Sequence, residues 1–427
     1  MSLPPYKNCA LAATIQCSSS TDRCLAPYGS RPWASLSQDI VEQIGWRVLA
    51  GDLLDYVRLR AVCTHWNSST VRPRGRGILD PRFHPRRWMM LPEGHGLYPG
   101  HPSLGGYVRF FNLSTGAFVR AHLPIFDDHI VLDSTDGLLL LHGDHDTAIR
   151  LLHPFTGDIV KLPSLVSLVL QIDVEPAYRH LMENTYKLGE PSVFLDGVCA
   201  AVTVGAAGSV TVMVSLCRFH RVAHATVGDQ RWTLAAWKLP RFTRAVAYRG
   251  KLYGALMTFN NKKLYICQID PPQLNPEGLR LLSRPQEMFI KCPLVGLINL
   301  VECGSELMIV GFSDTTYSHL VVYRVADLMN SRVIPVTSIG EHVLLLYERC
   351  VCVSPLTRVS LSLWATPVRI HEKSRVLGHR SYVGQYHLGS GTWSPAIDGD
   401  LLNKENPSPS PSMLIHHIYT CCFRRYW

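Results

Sequence analysis

The chain has 427 residues, of which 47% are hydrophobic, so it is long enough and apolar enough for one small and one large folded domain. This composition excludes a protein that is disordered throughout. The 42 Lys and Arg residues against 33 Asp and Glu give a net charge of +9, which bears on solubility and weak attraction to polyanions rather than on fold.

Residues 1–32 contain proline, serine and glycine without hydrophobic periodicity, so we predict a disordered leader. Its apolar stretch at 10–15 is too short for a signal peptide, although a transit peptide stays open. Because no apolar run approaches the ~18–20 residues that span a bilayer, we expect no membrane partner. The thirteen cysteines are irregularly spaced and form no Cys-x-x-Cys pair, which predicts reduced thiols and a cytoplasmic or nuclear protein.

Residues 33–70 predict a unit of two short amphipathic helices. In the first, Ser37 is the expected N-cap, and one apolar stripe repeats every four residues at Ile40, Ile44 and Val48. Gly51 is expected to end this helix.

The second helix is expected to start at a cap provided by Asp52 or Asp55. One apolar face then follows the helical spacing i, i+3, i+4 and i+7, at Leu59, Val62, Cys63 and Trp66. The two helices carry more apolar surface than they can bury against each other, which indicates a partner protein. The alternative is a helical hairpin that only caps the following domain.

Residues 71–106 form a connector rich in proline, glycine and arginine, in which long regular structure is not expected. Its arginines predict a solvated linker, or alternatively a nucleic-acid contact beside the paired helices. These arginines are Arg72, Arg74, Arg76, Arg82, Arg86 and Arg87. The next domain is expected to begin at 88–91.

From residue 107 to 398 short β segments alternate with turns. The motif Phe-Asn-Leu-Ser-Thr-Gly at 111–116 recurs as Leu-His-Pro-Phe-Thr-Gly at 152–157 and is echoed at 386–391. A repeat near 40 residues with several strands per unit favours a β-propeller over an irregular sandwich. Residues 354–381 fit the pattern poorly and predict a degenerate blade, and residues 399–427 predict a flexible tail.

Sequence motifs for catalysis or cofactor binding are missing. The chain contains no Gly-x-Ser-x-Gly, Walker or Gly-x-Gly-x-x-Gly pattern. The cluster His142-Gly143-Asp144-His145-Asp146 is typical of a turn more than of a metal site. We therefore expect no enzyme activity, no cofactor and no metal.

Within 33–70 the residues Leu36, Asp39, Ile40, Val41 and Ile44, the run 55–63 (Asp-Tyr-Val-Arg-Leu-Arg-Ala-Val-Cys) and Trp66 resemble an F-box. Together with 111–116, 152–157, 301–306 and 386–388, they are similar to plant F-box proteins of the grass type with a C-terminal KIB-type β-propeller. The resemblance implies an α+β multi-domain chain: a small N-terminal helical F-box, then a mainly antiparallel all-β propeller-like domain.

The resemblance further implies a substrate-recognition subunit of an SCF-type (Skp–cullin–F-box) ubiquitin ligase. The F-box would bind a Skp-family adaptor, and through it a cullin-RING ligase, while the propeller holds an unknown target. The residues expected to contact the adaptor are Leu36, Ile40, Val41, Ile44, Val57, Leu59, Val62 and Trp66. The chain departs from the family at Leu36-Ser37, where Leu-Pro is usual, and a degenerate copy without a ligase role is a further alternative.

Overall fold

The computed structural model describes most of the chain from residue 33 to residue 395. The described ranges are 33–91, 106–143, 147–169, 171–172, 198–206, 208–240, 244–258, 263–316, 318–340, 342–346, 350–353 and 384–395. The predicted leader, the predicted degenerate blade at 354–381 and the predicted tail lie outside these residues.

The N-terminal unit consists of a short 3-10 turn at Trp33–Ser35 and the helices α1 (Gln38–Gly51), α2 (Leu53–Arg60) and α3 (Thr64–Ser68). The prediction that the second helix extends to residue 66 was wrong, because α2 ends at Arg60 and a separate helix, α3, follows it. Cys63 then caps α3, since its Sγ accepts a hydrogen bond from the Trp66 backbone N at 3.4 Å. The apolar spacing from 59 to 66 therefore extends over two helices and the turn between them.

Both predicted signals at the ends of α1 were only partly right. Ser37 occupies the N-cap but makes no side-chain capping bond, and Gly51 is the last residue of α1 rather than the residue after it. The predicted cap by Asp52 is confirmed, because its side chain accepts from the backbone N atoms of Leu54 and Asp55.

The described β strands form an antiparallel propeller of five blades with three or four strands each. Blade 1 contains β1 (Trp88–Met90), β2 (Tyr107–Asn112) and β3 (Phe118–His122), and blade 2 contains β4 (His129–Thr135), β5 (Leu138–Gly143), β6 (Ile149–Leu152) and β7 (Ile159–Leu162). Blade 3 contains β8 (Val198–Val204), β9 (Val210–Leu216), β10 (Arg221–Thr226) and β11 (Thr233–Leu234), and blade 4 contains β12 (Arg244–Tyr248), β13 (Lys251–Met257), β14 (Leu264–Ile269) and β17 (Gln286–Ile290). Blade 5 contains β18 (Val295–Cys303), β19 (Glu306–Phe312) and β20 (Leu320–Arg324).

The remaining elements are short. The hairpin β15 (Gln273–Leu274) and β16 (Arg280–Leu281) interrupts blade 4. Strands of three or four residues follow blade 5 at β21 (Val343–Leu345), β22 (Val351–Val353), β23 (Gly384–His387) and β24 (Thr392–Pro395). Single helical turns lie at α4 (Val166–Val169) and α5 (Val325–Met329). None of the helices in the described ranges is long and apolar enough to cross a membrane.

The first strand of each blade is the innermost one. Residues of β1, β4, β8, β12 and β18 line a central channel of about 980 Å³, and β22 lines the same channel. Apolar clusters fill the spaces between neighbouring blades, as expected where each small sheet must bury both of its faces. The predicted propeller is confirmed.

Candidate partner-binding surface

The helical unit has its own aromatic core, which also includes the connector. Trp46 of α1 stacks on Tyr56 of α2 with ring centroids 6.3 Å apart, and Phe83 of the connector packs against both rings. Burial raises the pKa of the Tyr56 hydroxyl, which donates to the Val71 carbonyl at 2.8 Å. One apolar face of the helices is thus covered by the chain itself.

The rim of this core is held by charged side chains. Arg82 lies 4.0 Å from the centre of the Trp46 ring in a cation–π contact and pairs with Asp80 at 2.7 Å. The hydrogen bond from Arg82 lowers the pKa of the Asp80 carboxyl. Inside the unit, buried Arg60 donates to the Thr70 carbonyl at 2.6 Å and to Asn67 Oδ1 at 3.1 Å, which fixes the end of α2 against the chain after α3.

Asp52 joins the helical unit to the propeller. One carboxylate oxygen caps α2, with the Leu54 N at 2.8 Å. The other accepts from Trp88 Nε1 of β1 and from Asn112 Nδ2 of β2, each at 2.7 Å. Both donors belong to nearly fully buried residues, so this carboxylate sets the position of α2 on blade 1.

The repeated motif provides the second half of this attachment. In the first copy, Asn112 Oδ1 accepts from the backbone N atoms of Ser114 and Thr115, and Gly116 has a positive φ of 73°. His153 plays the same part in the second copy, where its Nδ1 accepts from the backbone N atoms of residues 155 and 156. Each motif thus closes its own turn with one side-chain acceptor, the amide oxygen of Asn112 or the Nδ1 atom of His153.

The other side of each motif residue binds the N-terminal part of the chain. Asn112 donates to Asp52, and His153 Nε2 donates to the Phe83 carbonyl at 3.0 Å. Because His153 Nδ1 accepts two N–H groups, the proton lies on Nε2 and the imidazole is neutral. Burial lowers the pKa of His153, which agrees with a neutral imidazole.

Within the described part of the connector, residues 71–91, the segment before β1 packs on blade 2 instead of forming a solvated linker. Asp158 accepts from the backbone N atoms of Gly75 and Gly77 at 2.8–3.0 Å. Gly137, with φ 78°, lies so close to Pro85 that an added Cβ would overlap the Pro85 carbonyl oxygen. The six arginine side chains of the connector are nevertheless exposed, and two of them are paired, Arg82 with Asp80 and Arg86 with Asp136.

The structure separates the eight predicted contact residues into three groups. Val41 and Leu59 are only 1% and 9% exposed, so they hold the helices together. Ile40, Val57 and Val62 are 43%, 45% and 62% exposed. The half-buried side chains are Leu36, Ile44 and Trp66.

A further exposed residue, Trp33, was not among the predicted contacts. Its side chain is 72% exposed, and its carbonyl accepts from Trp66 Nε1 at 3.2 Å. His65 Nε2 lies 2.8 Å from the Leu36 carbonyl, so residues 33–36 pack against α3. An aromatic residue just before the first helix was the available signal in the sequence. We call Trp33, Ile40, Val57 and Val62 the exposed apolar set.

The predicted turn at 142–146 is only partly described. His142 is buried at the end of β5, and residues 144–146 lie outside the described ranges. Within those ranges no group of three or more His, Cys, Asp or Glu side chains is placed to hold a metal ion.

A family model of the KIB1-4 beta-propeller matches residues 110–360, which is more than half of the chain. The chain belongs to the KIB1-4 beta-propeller family. Among curated proteins none matches it significantly. A KIB1-4 propeller suggests a protein–protein interaction, and the match covers blades 2 to 5 together with β3 and the second half of β2 in blade 1. The helical unit precedes the matched residues.

Proposed function

We propose that this KIB1-4 propeller protein is the substrate-recognition subunit of an SCF-type ubiquitin ligase. In this proposal the helical unit docks on a Skp-family adaptor, and the propeller binds the protein to be ubiquitinated. The chain itself transfers nothing; it brings the target close to the ligase, so its effect is one of proximity.

The observation that carries the proposal is the exposed apolar set. Large apolar side chains on a small unit whose own core is complete are typical of an interface that a second protein covers. Val57 lies on α2 and Val62 follows its end; both are exposed, whereas Leu53 and Tyr56 of α2 are buried.

The attachment through Asp52 supports the same proposal. A target held by the propeller is presented at a fixed distance from the adaptor only when the two parts do not swing independently. The bonds from Trp88 and Asn112 to Asp52, and from His153 to the Phe83 carbonyl, provide such a fixed connection.

The test is co-purification of the full chain with a Skp-family adaptor. We expect the variant Val57→Asp/Val62→Asp to lose at least about 100-fold in affinity, because each new carboxylate would be buried without a partner at the interface. Both side chains are exposed in the free protein, so the double variant should fold. Trp66 is the poorer choice, since its indole N–H is bonded to the Trp33 carbonyl.

The matched control is Val227→Asp, which changes a valine of similar exposure (40%) on the propeller. Binding should be unchanged in this control. Equal adaptor binding by the wild type and the double variant would show that the exposed apolar set does not contact the adaptor. No assembly of the wild-type chain with adaptor and cullin would favour the degenerate copy instead.

A further inference from the structure

Two cysteines that are far apart in the sequence meet at the wall of the central channel. Cys303 ends β18, the innermost strand of blade 5, and Cys352 lies in β22. Their Sγ atoms are 3.3 Å apart, with Cys352 as the donor of the hydrogen bond.

The two thiols differ in environment. Cys303 is 7% exposed, whereas Cys352 is half-buried and lines the channel of about 980 Å³. The hydrogen bond from Cys352 lowers the pKa of Cys303 and raises the pKa of Cys352. The pair therefore combines a nearly buried thiol of lowered pKa, Cys303, with an adjacent thiol, Cys352, that faces the channel.

Two of the other buried thiols provide a contrast. Cys267 and Cys292 are buried, and burial raises the pKa of both, to about 11 for Cys267. A buried thiol with a raised pKa is an inert one. The pair at the channel thus differs in its chemistry from Cys267 and Cys292.

We propose that Cys303 and Cys352 form a redox modification site that takes a hydroperoxide and closes to a reversible disulfide between blade 5 and β22. The Cys303 thiolate attacks one peroxide oxygen, the O–O bond breaks, and a sulfenic acid and water are formed with one proton from solvent. The Cys352 sulfur then attacks the sulfenic sulfur, so that the S–S bond forms, the S–O bond breaks and a second water leaves. Two thiols and one hydrogen peroxide give one disulfide and two waters.

The two sulfur atoms are already in contact. The sulfurs must approach from 3.3 Å to about 2.05 Å, the length of a disulfide bond. The bond would join β22 covalently to β18 of blade 5, and both of these strands line the channel. A thiol reductant would reopen it.

The experiment treats the reduced full chain with hydrogen peroxide, alkylates it under denaturing conditions and maps the peptides without reduction. We expect a Cys303–Cys352 linked peptide pair, and loss of their alkylation at least about 10-fold faster than that of Cys267 and Cys292. Oxidation of the four thiols at one rate, or a link through Cys350 instead, would overturn the proposal. This measurement needs no variant.

Two variants then test the order of the steps. Cys352→Ser keeps a hydroxyl donor beside Cys303 but removes the second sulfur, so dimedone should trap a sulfenic acid at Cys303. Cys303→Ser should leave Cys352 in its thiol form. Trapping at Cys352 in the second variant, with none at Cys303 in the first, would show that the assigned nucleophile is wrong.

Discussion

Replacing Asp52 by asparagine tests whether one carboxylate fastens the helical unit to the propeller. The change keeps the size of the side chain and turns one of its two oxygens into an NH₂ group. In either orientation of the amide, one set of donors loses its acceptor: the backbone N atoms of α2, or the buried N–H groups of Trp88 and Asn112.

The size of the effect follows from these contacts. A hydrogen bond to a charged group contributes about 1.5–3 kcal/mol, and a buried donor left unpaired costs about 1–3 kcal/mol. Two donors face the altered oxygen at 2.7 Å each, but a wild-type carboxylate also has a desolvation cost that the variant avoids. We therefore expect Asp52→Asn to lower the free energy of unfolding by about 3 kcal/mol.

The matched control is Asp55→Asn, which removes a carboxylate from the same first turn of α2. Asp55 forms a 2.8 Å ion pair with Arg58 in which both side chains are more than half exposed, so its loss should cost about 0.5 kcal/mol. The difference between the two variants separates the hydrogen bonds of Asp52 from the loss of one carboxylate charge.

Urea unfolding of the full chain measures the global effect, and amide hydrogen exchange in α1 and α2 measures local opening. If the helical unit opens separately, exchange in α2 should accelerate by about 100-fold in Asp52→Asn, which corresponds to the same free energy. Stability and exchange within about 0.5 kcal/mol of the Asp55→Asn control would refute the reasoning.

Two further predictions concern the connector. Below about pH 6.5 His153 binds a proton in the unfolded chain but not in the folded one, because burial lowers its pKa. The free energy of unfolding therefore decreases as the pH is lowered. Between about pH 7.5 and about pH 5.5 the Tm of His153→Asn should decrease less than the Tm of the wild type. Gly137→Ala should lower the free energy of unfolding by about 3 kcal/mol, measured in urea, because the new Cβ would displace Pro85.

Each of these has an internal comparison. Asparagine at 153 is the residue that the first copy of the motif uses at 112, so the turn can still be closed; an unchanged acid sensitivity would show that His153 is not the titrating group. Gly157→Ala has a similar φ of 73° but no atom within 4 Å of the new Cβ, so it should cost only about 1 kcal/mol. Equal losses at 137 and 157 would contradict the packing of the connector on blade 2.

The repeated motifs and the hairpins could be predicted from the sequence because their causes are local. Asn112 and Gly116 lie four residues apart, and the turn between β2 and β3 needs only a side-chain acceptor and a left-handed glycine. The same pattern at 153–157 predicted a second unit at blade spacing, and from this the propeller followed. Periodicity failed at Ala61–Cys63, because an apolar face does not show that the backbone breaks beneath it.

By itself, then, the sequence determined the amphipathic helices, the strand-and-turn alternation and the repeat. Only the tertiary structure decided that Leu59 is buried while Val62 is exposed, since the helical spacing i, i+3 predicts both on one face. It also decided that Asp52 meets Asn112, 60 residues away, and that Cys303 meets Cys352, 49 residues away. Such long-range contacts depend on how whole blades and helices pack against each other, and no short-range pattern of residues encodes them.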